Sequence, residues 1–292
     1  MAKGLLRSLR SEFLMKSFFA VSSLISVAAL GQSSQDNVTE IIKRSAAAME
    51  NNWKAAPGFS YTERDVQSKK GGAQVTKTYQ VAVFEGSNYN RLVAVNDKPL
   101  SKTQEQQEEQ KMRAEAQKRQ HESAGDRAKR VAKYEKERRQ DHAMIAEMAK
   151  AFDFKLTGSE RMNGHDTWVF EALPKAAYKP KMRDAKVLPA MKGKLWVDKQ
   201  HYQWAKVQGE VIRPVSFFGV LAKVSPGTKF ILEQEPVNGS IWLPKHFSTN
   251  VKASALGFIN ESSTDDETYN NYKPLASAAG LTAMGGKPEV PK

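Results

Sequence analysis

The 292-residue chain contains no cysteine. That excludes disulfides, thiolate zinc sites, iron–sulfur clusters, a cysteine nucleophile and a lipid-modified N-terminal cysteine. Histidine is almost as scarce: only His121, His142, His165, His201 and His246 occur, with no HExxH and no pair at strand spacing, so a metal site is not expected. Gly71-Gly72 and Gly285-Gly286 belong to neither a GxGxxG nor a Walker loop, and no GxSxG elbow is present. The acidic run Asp265-Asp266-Glu267 lacks the rest of a calcium loop. Nothing calls for a cofactor, no catalytic residue stands out, and a non-enzymatic protein is expected.

No apolar run reaches the ~20 residues that span a bilayer. The longest, Ser17–Leu30, follows a basic segment with Lys3, Arg7, Arg10 and Lys16 and ends in Ala29 and Gly31, small residues at −3 and −1 from a cleavage before Gln32. Residues 1–31 therefore read as a secretory signal, the mature chain has no transmembrane segment, and the expected location is the periplasm. The excess of basic residues, +13 over the whole chain, then points to anionic lipid or envelope polymer, with nucleic acid excluded by compartment.

What is present is mostly strand. Asn37–Trp53 has apolar residues at helical spacing (Val38, Ile41, Ile42, Met49, Trp53), and Asn37 with Glu40 has the spacing of a capping box. Strands are expected over 59–66, 73–85 and 88–95, then over about seven further segments from 153 to 272, with an Asn163-Gly164 hairpin turn. Strands this evenly spaced imply a barrel or a strongly curved sheet. Between the third and fourth lies a different composition: 102–150 holds 13 basic and 10 acidic residues, Met112 is the first segment's only large apolar residue, and Ser101 with Gln104 forms a second capping box. This reads as a helical arm of two helices, broken at Ser123-Ala124-Gly125. The first helix is expected in solvent, and the second docks late through Met144, Ile145, Met148 and Phe152. The tail 273–292, rich in small residues, Pro and Gly, is expected to be disordered.

The order of signal, amphipathic helix and antiparallel strands, together with GKLWVDKQHYQWAKVQGEV (193–211) and NGSIWLPKHFSTNVKA (238–253), resembles the LolA-like family of outer-membrane lipoprotein-sorting and carrier proteins, in particular its exported members. The resemblance covers about residues 36–272 apart from the arm. It implies an α+β, mainly antiparallel fold: a half-open β-barrel covered by the N-terminal helix, with the charged arm (101–152) inserted in a 32–272 domain. It also implies an apolar cavity that accepts a lipid or lipoprotein acyl chain. Candidate cavity residues are Trp53, Tyr61, Tyr79, Phe170, Trp196, Phe230 and Trp242. Residues 173–213 carry ten Lys and Arg against three acids, and Lys175, Lys179, Lys181, Arg183 and Lys186 are candidates for head-group contact. The alternative is an envelope-stress sensor or interaction module with a protein partner on residues 101–150. The signal reading predicts a periplasmic protein beginning at Gln32, which N-terminal sequencing of that fraction checks.

Overall fold

A computed structural model describes residues 32–69, 72–216, 222–255 and 259–275. The expected signal, most of the expected tail and the turn at 70–71 lie outside the described residues. Helix α1 spans Gln32–Ala55, five residues longer at its start than the apolar spacing indicates, so Asn37 sits inside the helix and does not cap it. Its stripe Val38, Ile41, Ile42 and Met49 is buried against Phe170, Leu195, Val197, Trp204 and Val207 of the sheet. At about 1.5–3 kcal/mol per buried side chain, those four helix residues contribute roughly 6–12 kcal/mol before ordering costs.

Among the described residues thirteen strands form one antiparallel sheet. They are β1 (Phe59–Lys69), β2 (Val75–Phe84), β3 (Ser87–Val95), β4 (Lys98–Pro99), β5 (Phe152–Met162), β6 (His165–Pro174), β7 (Met191–Asp198), β8 (Trp204–Val211), β9 (Val215–Ser216), β10 (Ala222–Val224), β11 (Lys229–Asn238), β12 (Ile241–Ala255) and β13 (Ile259–Pro274). The order is β4-β3-β2-β1-β13-β12-β11-β8-β7-β6-β5, with β10 pairing β12 and β9. The two ends of this order, β4 and β5, do not pair, so the barrel stays half-open. The connection from β4 to β5 is the arm. Asn163 and Gly164 both take positive φ (48° and 86°), as the hairpin between β5 and β6 requires.

Two buried polar locks join α1 to the sheet. Asn52 donates to Gln203 Oε1 (2.7 Å), and its Oδ1 accepts from the Trp242 backbone N–H (3.0 Å). Gln203 passes a further bond to Ser240 O (2.7 Å). One side chain thus satisfies β12 at its first turn and the β7–β8 connection at once. Nearby, Trp204 Nε1 donates to Ser45 Oγ (3.0 Å).

The arm comprises α2 (Lys102–His121) and α3 (Ala124–Ala151). The Ser101–Gln104 capping box is formed, and Ser123 caps α3 by accepting from Asp126 N. The expectation that α2 lies free in solvent is overturned. Met112, Ala116 and Arg119 are buried, and α2 lies on the β2–β3 hairpin. The reason is polar and could not show as an apolar stripe. Arg119 donates to the carbonyls of Phe84 (2.7 Å), Ser87 (3.1 Å) and Asn88 (3.2 Å), and its Nε holds Glu115 (2.7 Å). Arg130 of α3 adds bonds to Ser87 Oγ (2.7 Å) and Glu85 O (3.0 Å). Gly86, at φ 82°, has Val131 directly over its Cα. Further along, Trp53 of α1 stacks on His142 of α3 (centroids 4.7 Å, planes 18° apart) and exchanges hydrogen bonds with Arg138.

Asn52→Ala strands a buried backbone N–H and Gln203 together. It is expected to lower unfolding free energy by about 2–4 kcal/mol, at roughly 1–3 kcal/mol per orphaned group, with the loss read from urea unfolding followed by circular dichroism.

Candidate functional site

The sheet carries two facing glycines, Gly193 on β7 and Gly209 on β8. Phe230 on β11 stands opposite Gly209 from the other side. A Cβ at Gly209 would collide with the Phe230 ring, and one at Gly193 with the backbone oxygen of Gln208. The missing side chains let the aromatic ring lie flat across the strand. Above it, the end of α3 brings Met148, and a 3-10 turn, η1 (Asp184–Ala190), brings Leu188. The result is an apolar slot lined by Met148, Phe154, Leu188, Met191, Trp204 and Phe230, with Lys192 and Lys194 at its edge.

The slot lies at a seam. One core cluster gathers Ala151, Phe152, Leu188, Met191, Val211 and Val224. The other gathers α1 with Phe170, Leu195 and Trp204. Met148, Phe154 and Phe230 pack against both. The cavity measures about 40 Å³, little more than the ~30 Å³ share of one water, so the slot as it stands has no room for an acyl chain.

The closure is tied down at named points. Tyr178 donates to Glu147 Oε2 of α3 (2.6 Å), and Lys150 sits 3.3 Å from the same carboxylate. Burial and this bond push the Tyr178 hydroxyl well above the usual phenol range. The Lys175 backbone N–H donates to Ala151 O (2.8 Å). Asp184, at the start of η1, has its carboxyl raised to about 6, chiefly by burial; adjacent Arg183 opposes the shift and Asp141 of α3 adds to it.

The seven candidate cavity residues do not share one place. Phe230 lines the slot, and Phe170 is fully buried in the adjoining α1 cluster. Trp53 lies in the α1–α3 joint. Tyr61 packs with Tyr269 and Tyr272 (centroids 5.8 and 5.4 Å). Tyr79 stands half-buried on β2 opposite Glu63. Trp196 and Trp242 point to the opposite face of the sheet from α1, with Val169 and Ala205, where Trp196 Nε1 donates to Glu160 (2.8 Å). There, residues including Gln234, Glu235, Trp242 and Lys245 line a second hollow of about 240 Å³.

Of the five candidate head-group residues, Lys179 and Lys181 are exposed on the loop before η1, Lys186 is exposed within η1, Lys175 lies 3.8 Å from Asp153, and Arg183 precedes η1. Gly193, Gly209, Met148 and the Tyr178–Glu147 bond were not among the candidates. Glycine inside a strand does mark close approach, and two such glycines were the available signal; the Tyr178–Glu147 pair, 31 residues apart, left none. Among the described residues no group of three or more His, Asp or Glu side chains is arranged to hold a metal ion, and no helix is long and apolar enough to cross a membrane.

No family model matches the sequence, and no curated protein matches it. Solved structures do resemble it. A domain described as an outer membrane lipoprotein-sorting protein from Vibrio parahaemolyticus is 11% identical with a TM-score of 0.34, covering 83% of this chain and 98% of its own. A LolA superfamily protein from Nitrosomonas europaea is 10% identical (TM-score 0.27, 83% and 96% covered). The MucA/MucB complex of Pseudomonas aeruginosa also matches at 10% (TM-score 0.24, 82% and 100%). The fold, an open antiparallel sheet with helices across it, is read from this chain's own strand order, and function has to be argued from its own residues.

Asp184 binds its proton more tightly folded than unfolded. Its ionisation therefore disfavours the docked loop: docking is strongest in acid and weakens as pH rises from about 4 through about 6. Amides of 184–190, corrected for intrinsic exchange, are expected to show more hydrogen-exchange protection at pH 4.5 than at pH 7.5. Asp184→Asn should abolish that difference.

Proposed function

We propose that this is an exported, non-enzymatic protein that binds the acyl chain of a lipid or lipoprotein in the slot between α3, η1 and the sheet, and carries it across the periplasm. The observation that supports this reading is the apolar seam of Met148, Phe154 and Phe230, bordered by a lysine-rich loop. Two cores that meet without merging can part there. Opening requires the Phe230 ring to leave Gly209 and the Tyr178–Glu147 bond to break. A hydrogen bond to a charged group is worth about 1.5–3 kcal/mol. Burying a dozen methylenes supplies up to roughly 10 kcal/mol at ~0.8 per CH₂. The balance favours an occupied slot, and the cost of opening keeps the empty one shut to water.

Lys179, Lys181 and Lys186, with Lys192 and Lys194, stand where a head group would emerge. Each cation near an anionic surface adds about 1 kcal/mol. The arm's role follows from its attachments: α3 supplies the slot's roof, so the arm is part of the binding apparatus and its movement is what admits a chain.

The test combines native mass spectrometry of periplasmic protein with the binding kinetics of a fluorescent polyene fatty acid. A stoichiometric lipid is expected on the purified protein. Tyr178→Phe, which frees the loop without touching the slot, should raise the association rate several-fold. A clean protein mass that acquires no lipid after incubation with short-chain phospholipid would overturn the proposal and direct attention to a protein partner on the arm.

A further inference from the structure

We propose that the hollow on the face of the sheet opposite α1 binds an uncharged amide group, of the kind a peptide backbone presents. It is independent of the slot.

The hollow contains a donor and an acceptor that the chain itself does not use. Trp242 is 1% exposed and Gln234 is 5% exposed. Trp242 Nε1 and Gln234 Oε1 are both buried with no hydrogen-bond partner among the described residues, and both residues line the hollow. Native proteins leave few such groups, and each one asks for an explanation. Three of the other four indoles donate within the chain, Trp53 to Arg138 O, Trp196 to Glu160 and Trp204 to Ser45, and Trp168 is half-buried. Trp242 departs from that pattern where it lines the hollow.

The strand register places the two groups for a single ligand. Gln234 pairs with Pro244 and Pro236 with Trp242, so Gln234 and Trp242 are diagonal neighbours on β11 and β12, on the same face. Side chains so related stand roughly 7–8 Å apart at their bases and reach a common point between them. An indole N–H calls for a carbonyl oxygen, and a glutamine oxygen calls for an N–H. A planar amide carries both, on the two heteroatoms bonded to its carbonyl carbon. The rim is charge-neutral, since Lys245 lies 3.4 Å from Glu235, which favours an uncharged group over an anion or a cation. Pro236, Ala205 and Met162 supply apolar wall. At about 240 Å³ the hollow is smaller than the ~300–1,000 Å³ of drug-sized sites, which suits one capped residue and not a large ligand. The His165 ring, partly exposed at the β5–β6 hairpin, lies edge-on 4.7 Å from the Trp242 ring with its Nδ1 3.7 Å from Asp198; binding of the amide requires this ring to swing aside.

The experiment is a titration of ¹⁵N-labelled protein with N-acetyl-L-alanine methylamide, watching the tryptophan indole N–H signals. Trp242→Phe assigns the signal, and backbone-linked assignment replaces it if that variant does not fold. The Trp242 signal is expected to move downfield and saturate. Gln234→Met, close in shape but without the acceptor, should weaken the apparent affinity about fivefold, as loss of one hydrogen bond implies. Glucose, acetate and inorganic phosphate should not saturate the signal. An indole signal that stays put or drifts without saturating overturns the proposal. So does a Gln234→Met protein that binds like the parent, or saturation by the sugar or an anion instead.

Discussion

An antiparallel sheet whose ends do not meet has an apolar face that must be covered, and the rest of this molecule follows from how α1 covers it. The helix is held in register by Asn52, which joins Gln203 and the Trp242 backbone in one buried network. Apolar burial alone would let a helix slide along a smooth sheet; a buried hydrogen-bonded side chain allows one position. With α1 set there, Trp53 faces α3, and the stacking with His142 and Arg138 sets the height at which α3 crosses. That height decides that Met148 reaches the seam and that little space remains below it.

The slot expresses a balance between two cores. Glycines at 193 and 209 remove side chains from the middle of the sheet, and Phe230 fills the gap from a neighbouring strand. That ring is held by packing against both cores. The loop above is held by a tyrosine–carboxylate bond and by a partly buried Asp184 whose ionisation works against docking. Lysines crowd the same loop, so the device that closes the slot also carries the charge that would meet a head group.

The charged arm shows how composition can mislead about burial. Its helices look solvated because nearly every residue is polar. Yet Arg119, 6% exposed, is spent on carbonyls at the turn between β2 and β3. A guanidinium with five donors does here what an apolar stripe does elsewhere, and its methylene stem supplies the packing. The arm's exposed faces carry ordinary i,i+3 and i,i+4 pairs such as Lys111–Glu108 and Arg113–Glu109, which contribute little to stability.

Much of the fold was legible in the sequence because local chemistry carries it: strand alternation, the Asn163-Gly164 turn, the Ser101–Gln104 cap and the apolar stripe of α1 each depend on residues a few positions apart. A barrel or curved sheet followed from those; its half-open form under a helix came from the family resemblance. The site was less legible. Phe230 was named, but so were Trp196 and Trp242, and aromatic character does not say which face of a sheet a side chain takes. A bulge between Trp196 and Val197 in β7–β8 and two in β11–β12 shift that register locally. The start of α1, the docking of α2, the Gly193–Gly209–Phe230 contact and the Tyr178–Glu147 bond were all decided in the tertiary structure. Each joins groups distant in the chain, and each depends on a distance that exists only after the sheet has curved and the helices have crossed it.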